Sequence, residues 1–404
     1  MSGTPARTAD AVTAAEVVCL GESMVTFLPS QPGRLADVPS FSRGIGGAES
    51  NVACALAAAG HRAAWVSRVG ADGFGDHLLE AISAYGVDTS AVRRDPARPT
   101  GVYFRTATDR ATDVHEVAYY RAGSAASAMS PENVPYEELF AGRVLHLSGI
   151  TAALSADCLA LLDDLTAPRA DRPLISFDVN HRPGLWRDAD TAPGVLLHLA
   201  RRADLVFVGE DEAEEVWGVK GAEAIRAALP EPGVLVVKRG SEGATVFSKR
   251  CPPTERETRT GQGARTGQGA RTGRGARTGQ EATTDGEART DAEAPIDAGA
   301  PLSPSETDHV TVVPALRVDV VAPVGAGDAF AAGFLSATLR DLPVRDRVRH
   351  GHLMAAAVLT VPGDLTAPAA RAHADALAAL DDDAWGRLRL GPGWTGDDQE
   401  VGTT

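Results

Sequence analysis

The run Gly325-Ala326-Gly327-Asp328 strips side chains from the backbone and then sets one carboxylate at the start of an apolar helical stretch, Ala329 to Leu335. Glycines let backbone approach something bulky. A helix N-terminus adds unpaired N–H groups and a positive dipole end, which suit an anion. Asp328 is then either an N-terminal cap or a general base beside bound phosphate. Other polar residues sit where apolar runs end: Asn180 after "PLISFDV", Glu210 and Glu212 after "ADLVFVG", and Gly240 after "GVLVVKR".

Those runs are the frame such residues need. "EVVCLG", "AAWVSRVG", "RVLHLSG", "PLISFDVN", "ADLVFVG" and "GVLVVKRG" read as strands buried on both faces, as parallel strands are. Helical stretches such as "GAESNVACALAAAG" and "DHLLEAISAYGV" alternate with them. The pattern predicts an α/β fold with a doubly wound, mostly parallel sheet flanked by helices. Ligands in such sheets bind beyond the carboxyl ends of the strands. Two segments, about 24–45 and 98–128, break the alternation with β-branched and aromatic content. They predict a small β-sheet lid that excludes water from the site.

A net charge of −15 argues against nucleic acid or an anionic membrane as partner. No apolar run approaches the length of a membrane span, and residues 1–14 read as a disordered leader without a secretory core. The cysteines Cys19, Cys54, Cys158 and Cys251 form no ligand pattern. A cytoplasmic protein is expected. Residues 15–385 are expected to form the domain and 386–404 a C-terminal tail.

From 252 to 308 the chain repeats "TGQGAR" in steps of six, opening at Thr260, Thr266, Thr272 and Thr278, and then decays into an acidic stretch. It holds too few apolar residues to offset its ordering entropy. It reads as a disordered low-complexity insertion in a hairpin loop between "GATVFSKR" and "HVTVVPALRV", inside the domain.

"GGAESNVACALAAAG" and "VAPVGAGDAFAAGF" resemble the two signature regions of the ribokinase-like (PfkB) carbohydrate kinases, with "RVGADGFGDHLLEAISAYGVDT" similar to that family's early GxDxxG stretch. The resemblance implies ATP and Mg²⁺ as cofactors and a sugar hydroxyl as phosphoryl acceptor. It makes Asp328 the general base, with Gly325, Ala326 and Gly327 an anion hole. It places Gly46, Gly47 and Asn51 against the sugar. Asn180, Lys238, Gly240, Ser241 and Gly243 fall to the nucleotide, and Glu212 to Mg²⁺ through water. Lys238 is one of three lysines and is read as a phosphate contact or a surface residue. His352 is read as an adenine neighbour or a core residue. Gly209 stands where the family usually has asparagine. Ala322 replaces an aspartate of the family's monovalent-cation site, which puts dependence on such a cation in doubt.

Within the family, Tyr103, Tyr119, Arg121 and Arg182 resemble the 2-keto-3-deoxygluconate kinase branch, and Asp364 lies near the substrate by the same likeness. Arginine's planar fork suits a carboxylate. The expected substrate is therefore a sugar acid, with a neutral sugar such as fructose or ribose as the alternative. A catalytically weak sugar sensor is a third reading, and assembly of copies through the lid stays open.

Overall fold

The computed structural model describes residues 15–31, 33–106, 117–249 and 308–396. Its main sheet has eight strands, in the order Asp308–Val313, Ala244–Lys249, Val234–Lys238, Leu205–Gly209, Leu174–Asp178, Val144–Ser148, Val17–Leu20 and Ala63–Val66. The first two strands run antiparallel to their neighbours and all other pairs are parallel. Successive side chains alternate between two cores, as strand geometry requires. Val17 and Cys19 join one apolar cluster, and Val18 and Leu20 the other.

On the first face lie helices Ala48–Ala58, Ala326–Leu339 and Val344–Leu359. The last two pack closely because glycines meet at their crossing. A Cβ on Gly333 would stand 2.3 Å from the His350 carbonyl oxygen, and one on Gly351 would stand 2.9 Å from the Phe330 ring. Helices Ala156–Thr166, Ala192–Arg202 and Glu210–Trp217 cover the other face.

Strand Val17–Leu20 has Ala63–Val66 on one side and Val144–Ser148 on the other. The chain therefore reverses its direction of travel across the sheet here, and a crevice opens at the carboxyl ends.

The two segments expected as a lid pair into one four-stranded sheet, ordered Phe41–Gly46, Met24–Pro29, Val102–Arg105 and Val117–Tyr120. Alternation puts Tyr103 and Tyr119 on one side, rings 5.4 Å apart. Phe27, Phe104, Phe41 and Tyr120 cluster on the other.

The hairpin flanking the repeat is present, with Lys249 opposite Asp308. Arg226 fixes its end through a buried bidentate pair to Asp308, at 2.7 and 2.9 Å. The leader, nearly all of the insertion and the last eight residues lie outside the described residues. The expected domain end at residue 385 is too early. Leu388, Leu390 and Trp394 are buried in the core, and Arg389–Leu390 pairs with Arg317–Val318. Short apolar contributions spaced between Gly and Arg residues hid this last piece of core.

Candidate active site

A cleft of about 1090 Å³ opens at the carboxyl ends of the parallel strands, beneath the four-stranded sheet. That is room for a nucleotide and a small substrate side by side. Its walls include Gly46, Gly47, Asn51, Tyr103, Tyr119, Arg121, Asn180, Arg182, Glu212, Lys238, Gly240, Gly325, Ala326, Gly327, Asp328 and Asp364. Most of the residues singled out from sequence thus meet in one place.

Gly325 caps helix Ala326–Leu339 with a left-handed φ of 79°. A side chain there would also strike the Asp364 carbonyl oxygen, which lies 2.6 Å from where a Cβ would stand. Both constraints demand glycine. Ala329 is the first residue whose N–H bonds back, to Gly325 O at 2.9 Å. The N–H groups of Ala326, Gly327 and Asp328 have no acceptor within the helix. Unpaired N–H groups at a helix start suit an anion.

Asp328 is half-buried and accepts a hydrogen bond from Asn51 Nδ2 at 2.9 Å. Burial pushes its carboxyl up to about 7, and Asp178 adds to the rise. The Asn51 hydrogen bond, Lys238 and Arg182 pull the other way. A base with that proton affinity suits reaction near neutral pH. The N-cap position is held by Gly325, and the hydrogen bond that the Asp328 side chain makes is to Asn51, so Asp328 is not the N-cap. Asn51 Oδ1 is buried without a partner, an acceptor open to a hydroxyl.

Tyr103 Oη donates to Asp364 Oδ2 at 3.1 Å, and Arg105 Nη2 to Oδ1 at 2.7 Å. Gly46 makes room for Tyr103, whose hydroxyl would lie 2.3 Å from a Cβ there. Asp364 thereby ties the lid strand Val102–Arg105 to the loop behind Gly325. Burial raises its carboxyl, while Arg105 and Tyr103 lower it.

The two arginines differ. Arg121 forms an ion pair with buried Glu22, which also accepts from Ser124 Oγ at 2.5 Å. Arg182 is exposed in the cleft, bonds to the His181 carbonyl at 2.9 Å, and makes no ion pair among the described residues.

Lys238 is no surface residue: its Nζ lies 2.9 Å from Asp178 Oδ2 within the cleft wall. Burial would lower its pKa, but Asp178, Glu212 and Asp328 hold it raised. Glu212 closes the turn after strand Leu205–Gly209, accepting N–H bonds from Gly209 at 3.0 Å and from His181. Burial and then Asp178 raise its carboxyl. Its remaining lone pairs fit Mg²⁺ held through water. Among the described residues no cluster of three or more His, Cys, Asp or Glu could ligate a metal directly. Asn180 holds a left-handed φ of 42° at the strand end, which asparagine tolerates better than most residues.

Three expected nucleotide residues do not reach the cleft. His352 is buried edge-on against Phe330, ring centroids 5.2 Å apart, and burial lowers its pKa to about 4. It is a core histidine. Ser241 and Gly243 belong to the turn beyond Gly240 but do not line the cavity. Gly243 is glycine for packing, since a Cβ would stand 2.1 Å from the Val313 carbonyl oxygen. Asp178, Arg105 and Glu22 escaped the sequence reading, because their partners lie in distant segments.

Residues 14–259 and 298–370 match the pfkB family carbohydrate kinases. The chain belongs to this family. It is thus a carbohydrate kinase, a phosphotransferase acting on a sugar hydroxyl. The chain is 32% identical over 358 residues to the 2-dehydro-3-deoxygluconokinase of Bacillus subtilis (strain 168), covering 87% of this chain and 91% of that protein. It is 26% identical over 349 residues to the probable fructokinase-6, chloroplastic, of Arabidopsis thaliana, covering 84% and 75%. The crystal structure of a PfkB protein from Polaromonas sp. JS666 superposes with a TM-score of 0.67 at 29% identity, covering 90% of this chain and all of that one.

Proposed function

We propose that this kinase transfers the γ-phosphoryl group of ATP to the 6-hydroxyl of 2-keto-3-deoxygluconate. The observation that carries the reading is Arg182: a guanidinium in the cleft wall with no carboxylate partner of its own, among the described residues, and near enough to Asp328 to lower its pKa. A sugar acid brings the missing carboxylate, and the fork of arginine grips it. Tyr103 and Tyr119 supply walls and hydroxyls above the sugar. The similarity to a 2-dehydro-3-deoxygluconokinase agrees.

In this reading Asn51 and the backbone at Gly46 and Gly47 orient the sugar. The 6-hydroxyl oxygen attacks the γ-phosphorus, its proton passes to Asp328, and the bond to ADP breaks. The N–H groups of Ala326, Gly327 and Asp328 stabilise the charge on the moving phosphoryl group. Asn180 and Gly240 border the nucleotide. Glu212 would hold Mg²⁺ through water, and the ion would neutralise phosphate charge.

One observation favours a neutral sugar such as fructose: the charge of Arg121 is already matched by Glu22. ADP release with a panel of sugars and sugar acids decides between the two. A kcat/KM at least tenfold higher for 2-keto-3-deoxygluconate than for fructose or ribose is expected. The opposite order would overturn the sugar-acid assignment.

A further inference from the structure

Asp178 and Lys238 end strands that are not neighbours. Strand Leu205–Gly209 lies between them, with Gly209 opposite Lys238 and Phe207 opposite Asp178. Register partners in a sheet point to the same face, as do residues two apart on one strand. Asp178, Gly209 and Lys238 therefore share a face, and the middle position has no side chain. Lysine's long stem crosses that gap to reach both carboxylate oxygens, at 2.9 and 3.2 Å. A Cβ at position 209 would meet Glu212 first, at 3.4 Å.

The crossing sets where the ammonium ends. Lys238 Nζ is 3.7 Å from where a Cβ on Gly327 would stand, directly beside the anion-binding helix start and Asp328. A cation held there before substrate arrives needs no reorganisation during transfer, the condition under which fixed charges are most effective. Unpaired, the four-carbon stem would swing freely in the cleft.

We propose that Asp178 is a positioning residue for phosphoryl transfer: its ion pair holds the Lys238 ammonium across Gly209 and against Gly327 and Asp328, where it meets the transferred phosphoryl group. This rests on the kinase reading of the cleft but not on which sugar enters. The charged groups facing Asp328 are Asp178, Lys238 and Arg182, with Asn51 as its hydrogen-bond donor. Asp178 and Lys238 thus act on the base with opposite signs.

The test uses the full chain and the best sugar of the panel, with Asp178→Asn, Lys238→Met, Lys238→Arg and the Asp178→Asn/Lys238→Met double variant. Lys238→Met is expected to lose about 10²–10³-fold in kcat, the loss typical of removing one transition-state donor. Asp178→Asn is expected to lose less, with sugar KM little changed. The double variant should be no worse than Lys238→Met. The acidic limb of kcat/KM should move to lower pH in Asp178→Asn and to higher pH in Lys238→Met, shifts that a merely structural role would not produce. Lys238→Arg, which keeps the charge, should retain more activity than Lys238→Met. Calorimetric titration with Mg·ATP and Mg·ADP, without sugar, should show that Lys238→Met loses affinity for ATP but not ADP. Multiplicative losses in the double variant, or an unmoved acidic limb in both single variants, would overturn the proposal. An unchanged preference for ATP over ADP in Lys238→Met would overturn it even if no sugar in the panel were turned over, and that last failure would count separately against the kinase reading.

Discussion

Asn51 and Asp328, 277 positions apart in the chain, meet through a 2.9 Å hydrogen bond at the floor of the cleft. The bond stabilises the charged carboxylate and so opposes the burial that raises its pKa. Asn51→Ala should therefore make Asp328 harder to deprotonate. The expected result is an acidic limb of kcat/KM displaced to higher pH, with a loss of roughly tenfold at neutral pH, about the value of one charge-assisted hydrogen bond. An unshifted limb would remove Asn51 from the base's environment.

In the unmodified enzyme, kcat/KM should rise with pH and reach half its plateau near pH 7, where Asp328 loses its proton. Below that point it should fall about tenfold per pH unit, as a single essential base requires. Asp328→Asn should abolish the limb and cost about 10²–10⁴-fold in turnover. Initial rates across pH 5–9 check this directly.

The same carboxylate should weaken the fold. Its folded pKa of about 7 stands above the ordinary aspartate value of about 3.9, so the charged form is the disfavoured one in the native state. The penalty is fully present above pH 7, shrinks as pH falls toward 4, and is absent below. Asp328→Asn should accordingly melt higher than wild type at pH 8 and level with it near pH 4. Thermal denaturation at the two pH values reads the difference. A variant that melts lower at pH 8 would contradict the assigned burial.

Arg105 and Asp364 are a buried pair, with side chains 8% and 6% exposed. Arg105→Met strands the Asp364 carboxylate behind Gly325, and breaking a buried pair from one side costs about 3–5 kcal/mol. Arg105→Met/Asp364→Leu should recover much of that stability, though not activity. Chemical denaturation of both variants tests it.

Much of this site was legible because its chemistry is local in sequence. Gly325 to Asp328 are contiguous, and the polar residues that follow strands announce the ligand edge before any fold is known. The two lid segments showed through their aromatic content. Ion pairs were invisible for the opposite reason. Asp178 with Lys238, Glu22 with Arg121 and Arg105 with Asp364 join segments far apart in sequence, and an arginine-rich chain offers many equal candidates. His352 stayed ambiguous in sequence because a histidine on a small-residue helix looks the same whether it faces a ligand or Phe330. Trp394 was missed because a lone tryptophan among glycines carries no periodicity.

Joining Lys249 to Asp308 by a short turn, in place of the residues between, should leave both melting temperature and turnover largely unchanged. The two strands pair residue for residue up to that point, and Arg226 already anchors Asp308. A large drop in either quantity would give the repeat a structural or catalytic part.

The sugar-acid assignment stands most directly on Arg182. The measurement is kcat/KM for 2-keto-3-deoxygluconate and for fructose in wild type and Arg182→Ala. A lost charge-assisted bond is worth about 1.5–3 kcal/mol, or roughly ten- to a hundred-fold. A loss of that size is expected for the acid, with little change for fructose. Arg121→Ala, by contrast, should harm both substrates, because it leaves Glu22 buried without its partner. Equal losses on the two sugars in Arg182→Ala would contradict a carboxylate grip and assign the cleft to a neutral sugar.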